Sequence, residues 1–363
     1  MHKKNFEIIL FISVIILSIF GITMIYSASS VWAKYKFNDQ FRFLKYQAIF
    51  FIIGLILMYF VSYIDYKKYY KYSNKILILG IILLILVLIP GIGTVRNGSR
   101  SWFGIGSFGI QPSEAMKLAL IIFTSKYLSN NPKSMKNLKR GVVPILILTL
   151  FIFGIIMLQP DFGTGTIIVM TIIGMLFIGG LDLKIFFKFG VTGLLGVVGL
   201  VIIAPYRLKR ILSFLNPWSD PLGSGFQIIQ SMYSIGPGGL FGLGFGNSIQ
   251  KHFYLPEPQT DFIFSIISEE FGFIGIIIIS LLFITIYYNS IKISIKCKDD
   301  FGKYLAFGIT FGLIFQTVLN LSVVIGLVPV TGVTLPFLSY GGSSLIITMI
   351  SIGIILNVSR DNA

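Results

Sequence analysis

Apolar residues in this chain fall in long runs, bounded by clusters of charge or by Gly and Pro turns, and several runs reach about 20 residues without a charged side chain. Runs of that length match helices crossing a hydrocarbon core of about 30 Å. They predict helices over 8–28, 45–64, 76–90, 114–129, 142–158, 163–181, 185–205, 262–288, 305–327 and 342–358. The fourth is the weakest pattern, because Glu114 and Lys117 lie inside it. The first run follows Lys3 and Lys4, exceeds a signal-peptide core and lacks a small-x-small cleavage site, so it reads as a retained helix. The expectation is an all-α integral membrane protein, with about ten transmembrane helices in a single domain over 1–363. A long loop, 206–261, separates helices seven and eight.

Composition supports lipid as the main solvent. Of 363 residues, 55% are hydrophobic and 12% charged, and the mean hydropathy is +0.87. The net charge of +15 fits anchoring to anionic lipid and topology better than binding to nucleic acid. Eighteen of the 29 Lys and Arg fall on the side that holds the N-terminus, which predicts a bacterial cytoplasmic-membrane protein with both termini cytoplasmic and 206–261 extracellular. The lone Cys297 excludes an intramolecular disulfide and a paired-cysteine metal site, and His2 and His252 are far apart.

The outer segments are unlike tethers. Residues 91–113 carry G-T-V-R-N-G-S-R-S-W, and 206–261 is rich in Gly, Pro and aromatics, too apolar to be disordered and suited to short interfacial helices. Residues 328–345, with their Pro, Gly and hydroxyls, read as broken helix lining a protein-enclosed cavity. There is no period of 20–50 residues and no inverted repeat of the transporter kind.

With only 14 Asp and Glu, acids at the outer face stand out. Asp261, in P-E-P-Q-T-D-F-I-F, stands where a proline-stiffened loop enters an apolar helix. It reads as either a helix N-cap or a general base whose proton affinity is raised by desolvation. Glu114 and Lys117, three residues apart, can form an ion pair that is either functional or a lock between helices. Asp161 reads as a turn and N-cap before the sixth helix. Arg96, Arg100, Arg207, Lys209, Arg210 and Lys251 lie outside against the topological bias, and together they would suit an anion such as a pyrophosphate. The glycine run from Gly236 to Gly246 resembles a phosphate loop only superficially, since no Lys-Ser/Thr follows.

Taken in order, G-S-R-S-W, Q-P-S-E-x-x-K, Q-P-D-F-G-T, N-P-W-x-D-P-x-G-x-G-F-Q, G-P-G-G-L-F-G, P-E-P-Q-T-D-F-I-F-S-I-I-S-E-E-F-G and T-L-P-F-L-S-Y-G-G-S-S resemble the SEDS family (shape, elongation, division and sporulation) of FtsW, RodA and stage V sporulation protein E. Y-S-A-S-S and V-P-V-T-G place the chain closer to the FtsW and sporulation branch. The resemblance implies ten helices and a peptidoglycan glycosyltransferase that joins lipid II (undecaprenyl-pyrophosphate-linked disaccharide peptide) units outside the membrane. It implies Asp261 as the catalytic acid, Glu114 and Lys117 as the ion pair, and Arg100 as the arginine after N-G-x. Arg100, Arg207 and Arg210, or a divalent cation (Mg or Mn), would stabilise the pyrophosphate, with Asp161, Glu257 and Ser339 in supporting positions. A class B penicillin-binding protein and other divisome proteins are the implied partners. A lipid II flippase and a noncatalytic divisome scaffold are the competing readings. The flippase requires polar groups continuing through to the cytoplasmic side.

Overall fold

The computed structural model describes residues 3–96, 98–104, 109–132, 138–182, 212–223 and 225–360, with positions 184, 185, 188, 190, 191, 193, 196 and 199 between them. Nine predicted crossings are helices here: α1 (Lys3–Phe37), α2 (Arg42–Val61), α3 (Lys67–Leu86), α4 (Pro112–Asn130), α5 (Val143–Met157), α6 (Phe162–Ile178), α8 (Ile263–Lys296), α9 (Asp300–Val324) and α10 (Gly342–Arg360). Between them α7 (Phe226–Ile235) is a short amphipathic helix of the long loop. Of the predicted crossing over 185–205 only positions 185, 188, 190, 191, 193, 196 and 199 are described, and each is helical. Among the described residues, seven helices are long and apolar enough to cross a membrane, and α6 is a shorter apolar one.

The bundle is built for lipid. Ile52, Ile56 and Phe60 of α2, Ile78, Leu79 and Ile82 of α3, and Ile278, Leu281 and Ile284 of α8 are all exposed. In water they would form patches far larger than a soluble monomer presents, and in hydrocarbon they cost nothing. Inside, α10 lies along α2, α3 along α4, α1 along α8, and α9 against α4, α6 and α8. Small residues permit the closest of these approaches: a side chain at Gly353 would meet the Met58 carbonyl at 2.6 Å.

Helix α8 is broken. Gly272 has φ +62° and ψ −159°, in the region only glycine visits readily. The glycine run fills the break. Leu243 and Gly244 donate their amides to the carbonyls of Glu269 and Glu270 (2.9 and 3.0 Å), and the amides of Phe273 and Ile274 donate to Gly239 and Leu240 (2.9 and 3.1 Å). The run therefore supplies the backbone partners that the break would otherwise leave without, a requirement inside a membrane.

Beside the break, Glu269 and Glu270 are wholly buried. Glu269 accepts from the Ser248 hydroxyl (2.5 Å) and the amides of Ile249 (2.9 Å) and Gln250 (3.4 Å). Oε1 of Glu270 accepts from Ser27 of α1 (2.6 Å), the Ser248 amide (3.3 Å) and Lys251 (3.4 Å). Lys251 is itself buried and also donates to the Gly246 carbonyl. It is thus removed from the anion-binding cations expected at this face, its charge being spent on Glu270.

Candidate active site

Asp261 is presented by a turn whose backbone is pinned at three successive carbonyls. That of Gln259 accepts from the Tyr340 amide (2.8 Å), that of Thr260 from the Ser339 hydroxyl (2.6 Å), and that of Asp261 from Asn320 Nδ2 (2.8 Å). Ser339 also receives the Leu335 amide (2.8 Å), and its carbonyl accepts from Gln47 of α2 (3.2 Å). The non-helical stretch between α9 and α10, expected from its Pro and Gly content, is thus the wall that holds the turn. The N-cap of α8 falls on Phe262, so Asp261 stands one residue before it, half-buried. Opposite its Oδ2 lies Gly332 (φ +76°), where a side-chain carbon would come within 3.8 Å of the carboxylate. Glycine there keeps the space in front of Asp261 open. Exposed Glu257 contributes through its carbonyl, which accepts from the Thr260 amide (3.1 Å) and hydroxyl (2.9 Å).

The ion pair lies one helical turn away. Pro112 opens α4, which puts Glu114 in its first turn, where the helix dipole favours a carboxylate. Lys117 reaches it at 3.0 Å and donates also to Gln316 Oε1 of α9 (2.8 Å). Gln316 Nε2 donates to the Thr334 carbonyl (2.9 Å), and the Thr334 and Ser344 hydroxyls pair at 3.1 Å. Gln316 and Asn320, four residues apart on one face of α9, tie the ion pair and the Asp261 turn to consecutive residues of the same wall, Thr334 and Val333. Next to the pair is a cavity of about 40 Å³, lined among others by Thr171, Thr348 and Ser351, with room for a few waters.

Asp161 is the N-cap of α6, as its sequence predicts. Its Oδ1 accepts from the Thr164 amide (3.1 Å) and its Oδ2 from Gln111 Nε2 (2.9 Å). Burial pushes its carboxyl above the ordinary range, against the Thr164 amide, which favours the charged form. The Gln111 amide in turn donates to Ser343 (3.0 Å), fastening the start of α4 to α10.

Residues 94–102 form a two-stranded hairpin, β1 (Thr94–Arg96) and β2 (Ser99–Trp102), pairing Arg96 with Ser99 and Val95 with Arg100. Cross-strand partners share a face, so Arg96 and Arg100 point opposite ways. Arg100 reaches the Leu88 carbonyl (3.4 Å). Arg96 lies 4.8 Å from the Trp102 ring centroid and fills the space beside Gly109. Its Ser99 neighbour donates to the Gln159 carbonyl, next to Asp161. Arg96, one of the outer cations expected to suit an anion, is therefore the hairpin arginine beside the wall of the site. The Asn97-Gly98 hairpin dipeptide was the signal that could have assigned these faces. Arg207 and Arg210 lie outside the described residues. Among those residues no group of three or more His, Cys, Asp or Glu could hold a metal ion.

A family model described as cell cycle protein, FtsW/RodA/SpoVE, matches residues 7–363. Stage V sporulation protein E of Bacillus subtilis (strain 168) is 54% identical over 358 residues, covering 99% of this chain and 98% of that one. A protein named "Probable peptidoglycan glycosyltransferase FtsW", from Geobacter sp. (strain M18), is 41% identical over 98% of this chain and 97% of its own. Among solved structures, a chain of a peptidoglycan synthase complex that coordinates polymerization and crosslinking superposes with a TM-score of 0.79 at 29% identity, over 97% of each chain. The rod shape determining protein RodA of Thermus thermophilus gives 0.72 at 27% identity, over 97% of this chain and 96% of that one. The fold likeness and the sequence likeness over nearly the whole length agree, and the chain belongs to the FtsW/RodA/SpoVE family of cell cycle proteins.

Proposed function

We propose that this protein is a peptidoglycan glycosyltransferase that joins lipid II disaccharide units into glycan strands at the outer face of the cytoplasmic membrane, with both termini cytoplasmic. The observation that carries this reading is Asp261, a half-buried carboxylate held by three consecutive backbone anchors and faced by Gly332 rather than by a bulkier residue. In the reaction, Asp261 takes the proton of the acceptor's 4-hydroxyl as that oxygen bonds to the donor's anomeric carbon. The bond from that carbon to the pyrophosphate breaks, inverting the centre. The leaving group departs with its electron pair, so no second carboxylic acid is needed. Arg96 joins Arg100, Arg207 and Arg210 as the cations that receive its charge. The Glu114–Lys117 pair fixes the wall through Gln316 and Thr334, and Asp161 and Ser339 hold the surrounding backbone.

The candidate groups, Asp261, Asp161 and the Glu114–Lys117 pair, gather at the wall between α9 and α10, which supports the enzyme over a flippase, whose path needs polar groups continuing to the cytoplasmic side. Likeness to a chain of a complex that coordinates polymerization and crosslinking supports a cross-linking partner, a class B penicillin-binding protein. The test is glycan polymerisation from labelled lipid II by the purified protein with such a partner. Asp261→Asn, folded like the wild type, should lose at least about 100-fold, the usual contribution of a general base. Equal polymer from both proteins would remove Asp261 from catalysis and favour the scaffold reading.

A further inference from the structure

Asn320 sits on α9, within the bundle, almost wholly buried. Its Nδ2 lies 2.8 Å from the carbonyl of Asp261 and 2.7 Å from that of Val333. Two carbonyl oxygens can be met only by the NH₂ end of the amide, so its orientation follows from its partners. The other end, Oδ1, is buried with no hydrogen-bond partner among the described residues. An orphaned buried acceptor costs free energy, so what this side chain contributes lies in its two donated bonds.

Those bonds join the two sides of the space in front of the carboxylate. One fixes the last of the three pinned carbonyls, on the residue that bears the carboxylate. The other fixes Val333, the neighbour of Gly332, which stands opposite Asp261 Oδ2. The same strip is braced from behind, because Gly163 of α6 packs where a side chain would strike the Thr331 carbonyl at 2.6 Å. We propose that Asn320 is a positioning residue that sets the separation between the Asp261 carboxylate and the Gly332–Val333 wall, and with it the depth at which the acceptor hydroxyl is deprotonated. This inference rests on the glycosyltransferase reading.

The test measures kcat and KM for lipid II polymerisation by the full chain with its partner. Asn320→Asp keeps the shape and replaces both donated bonds with facing acceptors. Asn320→Gln keeps the NH₂ group but shifts it by one methylene, preserving a donor for the fold. Positioning predicts that kcat falls by about 10- to 100-fold in Asn320→Asp and by a smaller factor in Asn320→Gln, with KM within about threefold of the wild type, as expected when a reacting group is displaced by about 1 Å. If Asn320→Asp does not fold, the kcat of Asn320→Gln decides alone. Wild-type kcat in a folded variant, or a loss that falls wholly on KM, would overturn the role. Activity in Asp261→Asn equal to the wild type would instead overturn the glycosyltransferase reading, and this inference with it.

Discussion

Among the described residues Lys251 is the cation paired with Glu270, beside the second buried carboxylate of Glu269, and its replacement by methionine keeps the aliphatic stem while deleting the charge. At 3.4 Å and an effective dielectric constant of about 20, its attraction to Glu270 is about 5 kcal/mol. Breaking a buried pair from one side typically costs about 3–5 kcal/mol, because the remaining charge is left uncompensated. Lys251→Met should therefore lose about 3–5 kcal/mol. Glu270→Gln retains Oε1 for Ser27 and the Ser248 amide but leaves the buried Lys251 without its counter-charge, so it should cost a comparable amount, about 3–5 kcal/mol. The double variant should recover at least about 2 kcal/mol relative to Lys251→Met, since one buried carboxylate charge is gone. Equilibrium unfolding in mixed micelles, followed by tryptophan fluorescence, gives all four corners of the cycle. A Lys251→Met protein within about 1 kcal/mol of the wild type, or a double variant no better than Lys251→Met, would refute the pairing as the source of stability.

Two further perturbations test the frame of the site. Gly272→Ala combines a positive φ with a side chain 2.4 Å from the Gly242 nitrogen and 2.7 Å from the Gly238 carbonyl, so it should displace the glycine run and lower stability by more than about 3 kcal/mol in the same unfolding assay. Asp161 binds its proton more tightly folded than unfolded. Its contribution favours the folded state below the ordinary value of 3.8 and is lost as pH rises through the higher folded value. Thermal unfolding of the wild type should weaken across that window, and Asp161→Asn should flatten the profile.

Long apolar runs carried the crossings because lipid demands about 20 such residues per helix, but they did not carry the helix ends. The first helix continues past residue 28 to Phe37 and the eighth past 288 to Lys296, since backbone hydrogen bonding does not stop where hydrophobicity does. Asp261, the Glu114–Lys117 pair and the cap at Asp161 were legible because each is a charge where hydrocarbon tolerates few. Their holders were not. Asn320 and Gln316 read as ordinary polar residues of an apolar helix, and the glycine run gave no hint that its partner was a break in a helix 30 residues on. Short strands of three and four residues hid which face Arg96 and Arg100 take.

The buried acids beside Gly272 also impose an order on assembly. Every group that satisfies Glu269 and Glu270, from Ser27 to Ser248 and Lys251, precedes them in the chain and is synthesised before α8. The holders of Asp261, in contrast, all come later except Gln47: Asn320 lies on α9, and Ser339 and Tyr340 in the stretch that follows it. A chain that folds as it is made can thus settle its costliest charges early, and the turn that bears Asp261 is pinned only when α9 and the stretch after it arrive. A protein cut short before α9 would hold its acids safely and have no wall behind Asp261.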